Sequence, residues 1–575
     1  MRLFPLLSAA VLALAGCAVT PTLPRPLVDA IVPVRAAAAN GMVSAADPRA
    51  AEAGAAMLRQ GGSAADAAIA TLIALTVVEP ESSGIGGGSF LVYRNLRGDV
   101  QTYDGREAAP HAASGDWFFV DGKPLTFDQA QPGGRSVGVP GNMRLIARAS
   151  HDHGKLPWKT LFQPAIALAR DGFVITPRLH AALGSDRETG ALSAEARALF
   201  YDASGASLPA GTRVRNPALA AFLTTIAERG PDAFYIGPNA QAIAATVTHS
   251  ARNPAPMTIG DLASYDAKPR PPVCGVYRAH RICGMGPPSS GATTVFATLK
   301  MLERFDLSKL GPNSPTAWHL IAEAMRLAYA DRERYLADSD YVPVPVAGLI
   351  DPAYLARRSA SISPDRTMAS VTAGTPAGAP QLTEGREPVE HGTSHFVAVD
   401  ANGEVASDTS TIESAFGSGL MVNGYYLNNE LTDFSLVPSV DGVRVANRVE
   451  GGKRPRSSMS PTIVFAPDGH VRLAVGAAGG ATIPAQVLKA IIGVLDWHLS
   501  AQDAIALPVL FAPGGDTLYV EKGTALEAMI PALTALGHAN VIAMPPGFKA
   551  NAIEWRNGRW IGAADPRSEG AAVAQ

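Results

Sequence analysis

The last third of the chain is punctuated by turn signals that each separate two runs of strand-forming residues. HFVAVD (395–400) and EVASDTST (404–411) flank Asn402-Gly403. PTIVFA (461–466) and HVRLAVGA (470–477) flank Pro467-Asp468-Gly469, and AIEW and RWIG flank Arg556-Asn557-Gly558. Asn-Gly and Asp-Gly supply the positive backbone φ that tight hairpin turns demand, so this region is predicted to build antiparallel sheet. An apolar helix is predicted over 482–497 between the second and third hairpins.

The first two thirds read differently. Asp47 and Pro48 open a helix that stops at Gly61-Gly62, and Ser63 caps a very apolar second helix that Pro80 closes. A Gly86-Gly87-Gly88 run then leads into the strand SFLVYR. It lacks the P-loop Lys and precedes a strand, so it is not read as a phosphate loop. Further helices are predicted over 141–153, 157–171, 216–229, 292–305 and 315–336. Residues 366–389 are rich in Thr, Ala, Gly, Pro and Glu, with little periodicity, and read as an exposed linker. Helices followed by hairpins and a helix predict packed antiparallel sheets flanked by helices, an α+β fold.

Composition narrows the function. The 575 residues, 47% hydrophobic and 17% charged, exclude a disordered chain. Lys plus Arg (48) nearly balance Asp plus Glu (51), giving no electrostatic reason to expect nucleic acid. Residues 1–16 carry one positive charge before a short apolar stretch ending in small residues. This is a secretory signal, too short to span a bilayer. Leu14-Ala15-Gly16-Cys17 resembles a bacterial lipobox, in which Cys17 is lipidated and becomes the new N-terminus; the alternative is an ordinary signal cleaved near Ala18. Ala18 after the Cys is similar to lipoproteins of the outer membrane, so the expected place is the periplasmic side of that membrane, or the periplasm. Residues 17–40 read as a tether. Cys274 and Cys283, in CGVYRAHRIC, fit two short strands around a turn; they form either a disulfide, which export permits, or two buried thiols.

Chemistry concentrates where the linker meets the first hairpin, at His391-Gly392-Thr393-Ser394-His395. If the chain is cut before Thr393, that residue gains an α-amine with a pKa of roughly 8, able to act as base for its own hydroxyl. Gly392 suits the residue before such a cut, because its backbone tolerates unusual conformations. His395 lies on the same strand face as Thr393, yet the amine already supplies a base, so His395 is read as structural.

Residues 391–435, followed by KRPRSSMSPT (453–462), resemble the gamma-glutamyltransferase family of N-terminal-nucleophile (Ntn) hydrolases. The likeness extends to GGSAADAAIA (61–70), GIGGGSF (84–90), DGREAAP (104–110), SVGVPG (136–141) and PPSSG (287–291). The resemblance implies a four-layer αββα sandwich, one large domain made of two autoprocessed subunits: 41–392 large, 393–575 small and catalytic. It implies cleavage between Gly392 and Thr393, attack of Thr393 on the γ-amide of glutathione or a related compound, and passage of the γ-glutamyl ester to water, an amino acid or a peptide. No metal or organic cofactor is implied.

The resemblance also assigns roles. Thr411 supports the nucleophile and processing, and Gly479-Gly480 supply oxyanion donors. Arg106, joined by Ser457 and Ser458, takes the donor's α-carboxylate, for which a guanidinium is well shaped. Glu430 and Asp433 take its α-ammonium. Glu413 stands where well-studied transferases carry an Asn. An ionised Glu only accepts hydrogen bonds, so three acids would surround one ammonium. The site then binds the ammonium more strongly, or one acid is protonated by crowding, or Glu413 points elsewhere and donor preference has changed. The lid position, FSLVPSVDGVRVANRVEGG, has no aromatic after Phe434, which favours hydrolysis over transfer. The alternatives are an amidase resembling cephalosporin (glutaryl) acylases, and a catalytically silent surface lipoprotein.

Overall fold

In a computed structural model, residues 40–385 and 392–575 are described, together with Met1 and the backbone of 37–38. Cys17, most of the proposed tether, His391 and the end of the linker lie outside the described residues. The described body falls within a single unit, Pro33–Gln575.

Two seven-stranded sheets carry the architecture. From edge to edge the first runs Ala571–Ala574, Met42–Ala45, Ser394–Val399, Val405–Thr411, Gly88–Arg94, Val100–Gly105 and Lys268–Arg270. The second runs Ala37–Ala38, Arg559–Ala564, Lys549–Arg556, Val471–Ala478, Thr462–Phe465, His280–Gly284 and Val273–Tyr277. Neighbours in both are antiparallel. The three predicted hairpins are present, with Asn557 and the turn glycines Gly403, Gly469 and Gly558 at positive φ.

Strand alternation explains how the layers stack. Phe396 and Ala398 point into an apolar cluster with the helix Ala64–Val78, while Val397 and Val399 point into a cluster with Leu473, Val475 and Ile553 of the other sheet. The helices Gly291–Leu302, Pro315–Tyr335 and Ile483–Leu495 contribute to that second cluster from beyond the second sheet. The order is therefore helix, sheet, sheet, helix, as the resemblance implies. Ala64–Val78 is buried along its whole length, which an all-round apolar helix requires. A capping box between Ser63 and Asp66 fixes its start.

Local departures from the sequence reading have physical causes. The helix expected over 157–171 divides at Phe162 into Trp158–Leu161 and Gln163–Asp171, the latter with a Pro in its first turn. The helix expected to reach 305 ends at Leu302, and the one expected over 482–497 spans Ile483–Leu495. Short strands from the first two thirds were missed, because Met42–Ala45 and Lys268–Arg270 are too brief to show a period. Cys274 and Cys283 face each other across adjacent strands, Cα atoms 4.2 Å apart, and are joined by a disulfide. That resolves the two open readings.

Candidate active site

Thr393 immediately precedes the strand Ser394–Val399, in the middle of the first sheet. The register pairs Ser394 with Ser410 and His395 with Thr409, so Thr393 arrives opposite Thr411. Its hydroxyl donates to Thr411 Oγ1 over 3.0 Å. Thr411 Oγ1 also accepts from the Glu413 amide at 2.7 Å. The Thr393 amide donates to the Ser82 carbonyl at 3.0 Å, and Ile412 N donates to the same oxygen at 3.2 Å. Ser82 was not picked out by sequence; its signal is only its place in the loop before the glycine run.

The backbone is strained on both sides of the hydroxyl pair. Thr393 has φ 93° and Glu413 φ 80°, values that cost a non-glycine residue about 1–3 kcal/mol. For a β-branched residue such as Thr393 this is a true outlier. Gly392 lies against the Glu413 carbonyl so closely that a Cβ there would overlap it. The glycine run has a related use. Gly87 lies against the Thr411 carbonyl with no room for a Cβ, so the run lets one strand end close on the hydroxyl partner of Thr393.

A cavity beside Thr393 and Thr411 is lined by Arg106, Glu430, Asp433, Ser457, Ser458, Met459 and Ile483. Its charged groups are buried. Arg106 is 1% exposed and forms ion pairs with both Glu430 and Asp433. Its Nη2 also donates to the Arg456 carbonyl at 3.0 Å, and its Nε to the Pro455 carbonyl at 3.3 Å. These residues named from sequence converge on one cavity, but their partners differ from those expected: Arg106 is already engaged by the two acids expected to bind an ammonium. Ser458 Oγ accepts instead from Arg332 Nη2 at 2.6 Å, and Ser457 Oγ accepts from Met459 N at 3.1 Å. Arg332, on the long helix Pro315–Tyr335, was missed because a helical Arg usually faces solvent.

Carboxylates outnumber cations here. Glu107, also missed, has its carboxylate 3.9 Å from Arg106, and burial pushes its pKa up to about 7. Burial holds the Glu430 carboxyl well above its usual range. Arg106 opposes that shift, and Glu107 and Glu413 reinforce it. Glu413 is buried and accepts through Oε2 from Asn429 Nδ2, and its charge reaches Glu430. Glu413 is not among the residues lining the cavity; it meets Asn429 and acts on Glu430 through its charge.

Gly479 and Gly480 follow the strand Val471–Ala478, with φ 119° and 54°. Earlier on the same chain, Gly476 packs against the His395 ring; just after them, Ile483 lines the Thr393 cavity. In the chain the pair thus lies between a residue packed on the His395 ring and a residue of the Thr393 cavity. His395 is buried between the sheets, its Nδ1 2.9 Å from Thr409 Oγ1, and burial lowers its pKa to about 3. It is a neutral packing residue, as read from sequence.

Another buried trio lies outside this cavity. His319, Glu323 and His538 bring their ligand atoms within 4.8 Å of one another. Glu323 is already saturated by Arg326 Nη1 at 2.8 Å, Thr367 Oγ1 at 2.8 Å and Met368 N at 2.6 Å, so the trio is satisfied by hydrogen bonds and ion pairing.

Comparison with known proteins bears on this arrangement. The family model described as Gamma-glutamyltranspeptidase matches residues 50–575. The chain is 36% identical over 549 residues to the "Glutathione hydrolase proenzyme" of Bacillus subtilis (strain 168), covering 93% of this chain and 91% of that protein. It is 35% identical over 548 residues to the "Acylase ACY 1 proenzyme" of Pseudomonas sp. (strain SE83), covering 94% of each. Among solved structures, cephalosporin acylase from Bacillus halodurans superposes with TM-score 0.83 at 25% identity, covering 98% of this chain and 99% of that one. Gamma-glutamyltranspeptidase from Helicobacter pylori superposes with TM-score 0.54 at 36% identity, covering 56% of this chain and 91% of that one. The chain is an enzyme of the Ntn-hydrolase fold and belongs to the gamma-glutamyltranspeptidase family.

Proposed function

We propose that the chain cuts itself between Gly392 and Thr393 and then breaks γ-glutamyl amide bonds, those of glutathione among them. In the first step Thr393 Oγ1 attacks the Gly392 carbonyl carbon and the C–N bond breaks. The nitrogen takes up the proton, leaving an ester. Water hydrolyses the ester to a Gly392 carboxylate and a free Thr393 amine. The strain at Thr393 supports this step, because cleavage releases it.

In the second step the Thr393 amine accepts the hydroxyl proton as Oγ1 attacks the γ-carbonyl, and returns it to the departing amine. Backbone N–H groups of Gly479 and Gly480 stabilise the developing oxyanion. Thr411 holds the hydroxyl in line. The γ-glutamyl ester then passes to water or to an amino acid or peptide.

The observation that carries the choice of donor is the charge count around Arg106. One guanidinium faces Glu107, Glu430 and Asp433, with Glu413 acting on Glu430. A donor with both an α-carboxylate and an α-ammonium satisfies this set: the carboxylate takes Arg106 and the hydroxyls, and the ammonium takes the released acids. A glutaryl donor brings no cation and leaves the buried acids short of a partner. The acylase reading rests on the similarity to cephalosporin acylase and is separated by this count. Hydrolysis of γ-glutamyl-p-nitroanilide against glutaryl-p-nitroanilide tests it: preference for the glutaryl compound would overturn the donor assignment.

The lid segment forms a small exposed hairpin, Ser439–Val440 with Val443–Arg444, without an aromatic side chain. This supports hydrolysis as the dominant outcome. Export, with Cys17 as a lipid anchor, completes the proposal. Among the described residues no helix is long and apolar enough to cross a membrane. Labelling with a radioactive fatty acid, lost in Cys17→Ser, is the test of the anchor.

A further inference from the structure

A buried ion pair, Lys549 with Glu79, abuts the start of the strand that follows Thr393. Lys549 is 1% exposed and opens the strand Lys549–Arg556 of the second sheet, opposite Ala478. Glu79 directly follows the helix Ala64–Val78 and is 3% exposed. Lys549 Nζ donates to Glu79 Oε2 at 3.0 Å, to Ser82 Oγ at 3.0 Å and to Ser394 Oγ at 3.3 Å. Ser394 Oγ in turn donates to Glu79 Oε2 at 2.6 Å. Both serines bear on Thr393. Ser394 is the next residue in the chain, and the Ser82 carbonyl accepts from the Thr393 nitrogen at 3.0 Å. One ammonium thus grips the residue after Thr393 and the residue that holds its nitrogen. An ammonium withdrawn from water is costly unless an anion and acceptors meet it, and this network supplies both.

We propose that Lys549, paired with Glu79, is a positioning residue for Thr393: it fixes the Thr393 nitrogen through Ser82 and Ser394, and its charge keeps the amine freed by self-cleavage unprotonated, able to act as base. The inference rests on the reading of Thr393 as an N-terminal nucleophile and adds what tunes it. A protonated amine cannot accept the hydroxyl proton. A fixed cation nearby disfavours that second positive charge, and a nearby anion favours it. Against burial, Lys549 and Arg178 hold the Glu79 carboxyl below its ordinary value, so the pair is charged. Glu81, with Arg178 4.0 Å away, is pushed up to about 7 by burial and by Glu79. Arg49 interacts with Glu79 as well. The Arg106 cavity adds Arg106, Glu430 and Asp433, with Glu107 and Glu413 beside them. His395, two residues along the strand, is uncharged. Lys549 and Glu79 are the charges tied to Ser394 by hydrogen bonds, so a change at either is felt at Thr393.

The experiment follows the burst of p-nitroaniline from γ-glutamyl-p-nitroanilide against pH. Saturating donor occupies the acids around Arg106, so the acid-side limb of the burst rate reports the Thr393 amine. Lys549→Met should move that limb up by about one pH unit or more, and Glu79→Gln should move it down. Opposite displacements are not what a purely structural pair would give. A limb that stays in place in either matured variant overturns the inference, as does a shift in the wrong direction. Failure of both variants to mature also overturns it, by assigning the pair to folding. Absence of any p-nitroaniline release by the wild type overturns the γ-glutamyl reading itself and the inference with it, a distinct result.

Discussion

Gly392 packs backbone to backbone against Glu413, so the residue before Thr393 is locked to the residue two beyond Thr411, the hydroxyl partner of Thr393. Any side chain at 392 must displace the Glu413 carbonyl. Gly392→Ala is expected to slow maturation about tenfold or more, since overpacking a tight site costs about 1–3 kcal/mol. The rate at which intact chain disappears on a denaturing gel measures it; maturation at the wild-type rate would show that this contact is relaxed before cleavage.

Thr411→Val keeps shape and removes one oxygen. The Thr393 hydroxyl and the Glu413 amide then lose their shared partner. A buried donor left unsatisfied costs about 1–3 kcal/mol, so kcat should fall about 10- to 100-fold. Steady-state rates on fully matured protein measure it, with Thr411→Ser expected to restore most of the activity.

Glu413→Asn removes one negative charge acting on Glu430, whose carboxyl burial and acidic neighbours hold above its usual range. Glu430 then loses its proton at a lower pH. The pH at which donor KM changes should move downward in the variant, with donor affinity altered. Profiles of KM against pH for the two proteins decide this; superimposable profiles would mean that Glu413 influences neither Glu430 nor the donor.

His395 predicts an acid-side loss of stability. Its folded pKa is about 3, below the ordinary value of 6.5, because burial disfavours the charged ring. Between those two values the unfolded chain binds a proton that the folded chain does not. Stability therefore rises with pH through that window and falls on acidification, by a few kcal/mol at most, at about 1.4 kcal/mol per pH unit. Melting curves at pH 6.5 and pH 4 should differ less in a folded His395→Asn protein than in wild type. An equal difference would assign the acid sensitivity to other groups.

Much of this was legible in the sequence. The hairpins declare themselves through Asn402-Gly403 and its two counterparts, because positive φ restricts the residue choice so tightly. The nucleophile junction and Arg106, Thr411, Glu430 and Asp433 were reached through ordered motifs. The ion pairing of Arg106 with its two acids was not legible, since it joins residues more than 300 positions apart. Glu107 and Arg332 escaped for a related reason: a charged residue in a sequence gives no sign that the fold buries it.

The account turns on Thr393 becoming a chain terminus. N-terminal sequencing of the smaller fragment of purified, active protein tests this most directly. The predicted result is a fragment beginning Thr-Ser-His, from Thr393, with Thr393→Ala remaining one chain and inactive. A fully active protein whose polypeptide is uncut, or cut elsewhere, would contradict it.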